Sequence, residues 1–170
     1  MIRESLLGAL AGLAATAPMT AAMKLAHRRL PWYERYALPP RQITMQVAKA
    51  AGMRRHLDED GKKGLTLLSH YGYGATMGSL FGAMSAATPR AEGKSDIGRG
   101  TMFGLGVWAG SYLGLLPALG ILKPATEHPM RRNLLMIGAH VVWGVSMAKL
   151  FSAMEVSTSD SNTDRSEDGR

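Results

Sequence analysis

The chain contains no cysteine among its 170 residues. Disulfides and thiolate metal sites are therefore excluded, and cysteine usage leaves the redox compartment unmarked. Catalytic signatures are missing too. There is no G-x-S-x-G elbow, no phosphate-binding glycine loop, no H-E-x-x-H helix and no pair of carboxylates. The most telling scarcity is charge. Residues 5–23, 64–88 and 100–122 hold no Asp, Glu, Lys or Arg, and 133–148 continues through 150–154 past a lone Lys149. The mean hydropathy of −0.05 conceals these runs, because the charges are segregated between them. Ion-coupled transporters and proton pumps commonly keep a carboxylate in the membrane, and these runs have none.

An uncharged apolar run of about 18 residues or more is long enough for a helix to cross a hydrocarbon core of roughly 30 Å. A soluble bundle would instead carry charges along one face of each helix. The sequence thus predicts an all-α, four-helix transmembrane bundle with spans at about 5–25, 65–87, 100–119 and 133–154. Pro18 should kink the first helix. The start Met-Ile-Arg-Glu is only weakly basic, and the apolar run after it exceeds an ordinary signal h-region, so the first run is read as a span. The transmembrane domain covers 1–154. The tail 155–170, rich in Ser, Asp, Asn and Thr, is expected to be disordered. Between the first two spans, Pro39-Pro40 opens a basic amphipathic segment at about 40–53, which reads as a helix in the membrane interface or as a loop helix on the end of the bundle. Just before it, Trp32, Tyr33 and Tyr36 suit an interfacial aromatic belt, or the mouth of a substrate path.

Two of the four spans share a pattern. His70-x-x-Tyr73-Gly74-x-x-Met77-x-x-Leu80-Phe81-x-Ala83-Met84 aligns without a gap on His140-x-x-Trp143-Gly144-x-x-Met147-x-x-Leu150-Phe151-x-Ala153-Met154. Seven of the eight patterned positions are identical and the eighth exchanges one aromatic for another. Such self-similarity predicts two tandem helical hairpins. Two spans per copy return the chain to its starting side, so the copies form a parallel internal repeat. The first helices of the two copies match more weakly, through Gly8-x-x-x-Gly12-Leu13 and Gly100-x-x-x-Gly104-Leu105.

Basic residues are biased toward one side. The two hairpin connections hold Lys24, Arg28, Arg29, Arg35, Arg41, Lys49, Arg54, Arg55, Lys62, Lys63, Lys123, Arg131 and Arg132, thirteen of the 20. Positive loops stay cytoplasmic, which places both termini outside. The pI near 10.0 then reflects anionic lipid headgroups, with Arg41, Arg131 and Arg132 as their contacts. Nucleic acid explains it poorly, because no reading motif accompanies the charge.

Inside the spans, glycines recur at Gly74, Gly78 and Gly82, and at Gly106, Gly110 and Gly114. Small residues at this spacing let helices approach closely in lipid, and the two rows are expected to pack on one another. Ser69, Ser79, Ser85, Ser111 and Ser146 read as hydrogen-bonding residues between helices. His70 and His140 are the ionisable groups well inside the spans, and so form a candidate polar site with Tyr73 and Trp143 one turn on. Three uses compete: interhelical hydrogen bonding, a proton-handling or polar-substrate site between the hairpins, and axial ligation of a haem. No metal site is expected, since two imidazoles fall short of the three or four ligands that zinc takes.

At Leu38-Pro-Pro-Arg-Gln-Ile-Thr44, at Val107-Trp-Ala-Gly-Ser-Tyr-Leu-Gly-Leu-Leu-Pro-Ala-Leu-Gly120, and at Pro124-Ala-Thr-Glu-His-Pro-Met-Arg-Arg-Asn133 followed by His140-Val-Val-Trp-Gly144, the chain resembles the YagU-like bacterial inner-membrane proteins, a domain of unknown function. The resemblance implies a small multi-pass protein of the bacterial inner membrane and brings no active site with it. The residues themselves point to a non-catalytic scaffold or accessory protein that binds a second copy or another membrane protein. The alternatives are a small transporter or proton-responsive channel using the histidine pair, and an enzyme or binder working on lipid headgroups at the basic face. A polar groove reaching both histidines would favour the transporter, and a sealed apolar interior the scaffold.

Overall fold

The computed structural model describes residues 1–88 and 96–167, the side chains of 158–167 excepted. Among these residues the chain is helical, with no strand. The helices are α1 (Ile2–His27), α2 (Pro39–Ala50), α3 (Glu59–Ala87), α4 (Asp96–Ala109), α5 (Leu116–Ala118) and α6 (Met130–Glu167). A π-helical segment, Gly110–Leu115, joins α4 to α5. Two helices are long and apolar enough to cross a membrane by length and composition, Ile2–His27 with 26 residues and Met130–Ser157 with 28. They support a membrane location.

Local chemistry sets the helix ends. Pro39 and Pro40 open α2, where a missing N–H costs nothing. Gly52 closes it with φ +70, a conformation that suits glycine. The start of α3 lies earlier than the apolar run suggests. Asp58 caps it by accepting from the Gly61 N–H at 2.8 Å, and Glu59 and Asp60 favour its N-terminal dipole. In α1, Pro18 is accommodated within the helix, and Thr16 and Thr20 bond back to the carbonyls of Gly12 and Thr16. The backbone of α6 continues to Glu167, where disorder is expected from composition. Propagating an existing helix needs only one bond per added residue. Residues 168–170 of that tail, and the 89–95 part of the connection between α3 and α4, lie outside the described residues.

Antiparallel pairing organises the bundle. α1 packs on α3, α4 packs on α6, and α1 and α6 pack together between them. The core lies along this central seam, with Ala11, Ala15, Met19 and Met23 of α1 against Met136, Ala139, Trp143, Met147 and Phe151 of α6. Trp143 donates its indole N–H to the Gly12 carbonyl at 3.0 Å, tying the two hairpins together. α3 and α4 approach through aromatic rings, Phe81 meeting Phe103 at 5.3 Å, and Phe81 also meets Phe151 of α6 at 5.6 Å.

The glycine rows therefore pack differently from expectation. Gly74, Gly78 and Gly82 face α1 rather than α4. A Cβ on Gly78 would run into the Gly8 carbonyl oxygen and lie 2.8 Å from the Gly12 Cα, and one on Gly82 would strike the Glu4 backbone. Gly106, Gly110 and Gly114 pack on nothing, with open space where a Cβ would stand. The close approach of α4 to α6 is made by Gly100 and Gly104 against the backbone of Gly144 and His140. α4 carries two glycine rows on different faces, and spacing alone does not tell which of them is turned inward.

Candidate functional site

A partly open chamber of about 420 Å³ lies among α1, α2, α3, the π segment and α6. His70, Tyr73, Trp143 and His140, the four residues of the candidate polar site, all line it. They reach it by a simple route. α3 and α6 both pack on α1, and the shared H-x-x-aromatic spacing turns an imidazole and the ring one turn later to the same side of each helix.

The histidines stand in different environments. His140 is 6% exposed, and its Nδ1 lies 2.8 Å from the Met136 carbonyl oxygen. A carbonyl only accepts, so Nδ1 carries the proton and, in the neutral ring, Nε2 keeps a bare lone pair. His70 is half-buried, but its Nε2 is fully buried and has no hydrogen-bond partner among the described residues. An unpartnered buried nitrogen costs free energy unless something supplies the missing bond.

The π segment adds two residues that spacing did not single out for the site. Tyr112 sets its ring edge-on to His140, with centroids 6.0 Å apart. Ser111 Oγ and Tyr73 Oη are 2.9 Å apart in a hydrogen bond, which joins α3 to the π segment across the chamber. Ser111 and Tyr112 are both buried. A π turn widens the helix by one residue and re-aims its side chains, and such turns recur at functional sites. The signal in the sequence was Pro117, which cannot donate to the ladder and sits just beyond the shifted register. The remaining wall is largely apolar and comes mainly from α2, through Ile43, Val47 and Ala48, and from Met77, Leu116 and Met136, with Thr44 and Ser69 also lining it. Among the described residues, no Asp, Glu, Lys or Arg lines the chamber.

The arginines expected to meet headgroups separate. Arg132 is buried. Its guanidinium donates to the carbonyls of Glu34, Tyr36 and Ala37 at 2.6, 3.1 and 3.0 Å, and lies 3.5 Å above the centroid of the Tyr36 ring. It fastens the connection after α1 to the start of α6, so its donors are already taken by backbone oxygens. Arg41 pairs with Glu59 at 2.7 Å, and Arg131 is exposed. The aromatic group divides likewise. Trp32 and Tyr33 are exposed, whereas Tyr36 contacts Arg132, and its hydroxyl lies 3.3 Å from His128 Nδ1.

A charge pair outside the spans joins α2 to α3. Lys62, and then Arg41, hold the Glu59 carboxyl down to about 2. Arg41 and Glu59 thus link the start of α2 to the start of α3.

No curated protein and no solved structure matches this chain. One family does, over residues 25–149, which include every chamber residue named above. The YagU-like resemblance is consistent with it, and the chain belongs to the family described as Protein of unknown function (DUF1440).

Proposed function

We propose that this chain is a multi-pass membrane protein of four spans in two tandem hairpins, and that its bundle holds a binding chamber for a small, largely apolar molecule. The observation that carries this reading is the chamber itself. A concave, mostly apolar space with a few convergent polar groups is the usual form of a small-molecule site. A scaffold would gain nothing from a space of about 420 Å³ at its centre, since unfilled volume costs packing energy. The missing carboxylates argue against ion-coupled transport, and Ser111 is bonded to a phenol rather than to an imidazole, so it has no activating base.

The contacts support the tandem repeat. Gly12 meets Gly74 and Gly78, while Gly100 meets Gly144 and Ala148, and each pair of partners lies 70 positions from the other. By this criterion Gly12 corresponds to Gly100, one turn away from the register that the weak glycine match of the first helices suggests. Both hairpin turns lie at one end, joined by Arg132 to residues 34–37 and by Tyr36 to His128. At the other end Ser152 donates to Asp96 at 2.7 Å. That arrangement suits basic turns in the cytoplasm and termini outside.

Tryptophan fluorescence tests the chamber. In a Trp32→Phe, Trp108→Phe protein reconstituted in lipid nanodiscs, Trp143 is the remaining emitter. 1-Bromododecane should quench it saturably, and Ala48→Phe, which fills the chamber from α2, should abolish the saturable part. Quenching that rises linearly with bromoalkane and ignores Ala48→Phe would remove the chamber as a binding site.

A further inference from the structure

We infer that the occupant of this chamber is an uncharged lipid-like molecule with a hydroxyl head, held by the two histidines while its apolar body lies along α2. The inference rests on the binding-chamber reading and specifies the ligand for it. Two observations fix the head. His140 Nδ1 is committed to the Met136 carbonyl, so the group that meets its Nε2 must donate a hydrogen bond. His70 Nε2 is buried without a partner, and which of its ring nitrogens carries the proton is not fixed by any bond. A hydroxyl donates once and accepts twice, so one such group can donate to His140 Nε2 and accept from a His70 Nε2–H, the tautomer that His70 is free to adopt. A ketone, ester or ether only accepts, and leaves His140 Nε2 bare.

Charge is excluded by the walls. With no Lys, Arg, Asp or Glu lining the chamber, a carboxylate, phosphate or ammonium would lose its hydration without gaining a counter-ion. The body is set by the rest of the lining. Ile43, Val47 and Ala48 of α2 and Leu65 and Met77 of α3 offer methyl and methylene surface, and apolar burial contributes roughly 25 cal/mol per Å². Long-chain alcohols, acylglycerols and isoprenoid alcohols or phenols share this chemistry of a neutral hydroxyl on an apolar chain.

The test compares four probes of one chain length on the nanodisc protein: 1-dodecanol, its methyl ether, dodecanoate and dodecane, each competing with 1-bromododecane for Trp143. Dodecanol should displace the bromoalkane about tenfold better than the ether or dodecane, as one buried hydrogen bond of roughly 1.4 kcal/mol allows. Dodecanoate should be weakest at pH 8. His140→Phe should remove the preference for alcohol and keep alkane binding. Should loss of the Nδ1 bond to Met136 unfold that variant, His70→Phe, which breaks no hydrogen bond, should reduce the same preference. Equal displacement by alcohol, ether and alkane would overturn the hydroxyl inference and leave the chamber reading intact. No saturable displacement by any probe would end both. A preference for dodecanoate would overturn the neutral-head argument.

Discussion

At the scale of single residues, the glycines separate by what a methyl group would meet. Gly78→Ala should destabilise the protein by about 3 kcal/mol, an overpacking cost at a backbone contact that cannot give way. Gly106→Ala should be neutral or stabilise by up to about 1 kcal/mol, because its Cβ enters open space and alanine is the better helix former. Thermal unfolding in dodecylmaltoside measures both, and equal losses at the two positions would refute this division of the rows. Arg132 gives the second prediction. Arg132→Lys should destabilise nearly as much as Arg132→Ala, by about 2 kcal/mol or more, since an ammonium cannot span three carbonyls and stack on Tyr36. Arg131→Ala, on the exposed neighbour, should leave the melting temperature in place. Wild-type stability of Arg132→Lys would show that the guanidinium bonds contribute little. Sequence made the histidines legible, because a titratable side chain in an uncharged run is conspicuous. It left Arg132 illegible as a structural residue. A buried arginine and a headgroup arginine look alike at the start of an apolar helix, and only the carbonyls of 34–37, nearly a hundred positions away, tell them apart.

At the scale of elements, length and punctuation carried well and assignment of faces did not. The proline pair and the following amphipathic stretch announce α2, yet nothing in them says that Ile43, Val47 and Ala48 wall a chamber. That fact depends on where α3 begins, and α3 begins at the Asp58 cap rather than at the first apolar residue. The π segment was marked by Pro117 alone, and the hydrogen-bond slip before it changes no residue type, so the faces of Ser111 and Tyr112 were not legible. α2 supplies a prediction of its own. Glu59 is held at about 2 by Lys62 and by Arg41, so it is ionised, and its ties are intact, at neutral pH. A depressed carboxyl stabilises fully above its unfolded value near 4.5 and loses that contribution as pH falls toward 2. α2 should therefore loosen between about pH 4.5 and pH 2, read by faster labelling of a single cysteine at Val47→Cys. Glu59→Gln should label at the faster rate throughout and lose the pH step. An unchanged step in Glu59→Gln would assign it to another carboxyl.

At the scale of the whole molecule, the all-helical class was legible, since long uncharged apolar runs without strand alternation fold as helices. The order α3, α1, α6, α4 was not, because four runs of similar apolarity carry no label of which pair is central. That order places α1 and α6, the two helices long and apolar enough to cross a membrane, inside and leaves α3 and α4, with their exposed glycines, flanking them. This raises the question of how many helices cross the membrane, and the absence of native cysteine makes it answerable by single-cysteine labelling. With four spans and basic turns inside, Arg3→Cys, Thr88→Cys and Ser157→Cys should react with a membrane-impermeant maleimide on intact cells. Arg54→Cys and Lys123→Cys should react only after permeabilisation. The decisive position is Thr88, at the far end of α3 from Arg54. If only α1 and α6 crossed, Thr88→Cys would keep the accessibility of Arg54→Cys, and the four-span reading would fall while the two-helix membrane location stood. If Arg54→Cys and Lys123→Cys reacted from outside and the termini did not, the bundle would stand and the charge-bias orientation would be reversed.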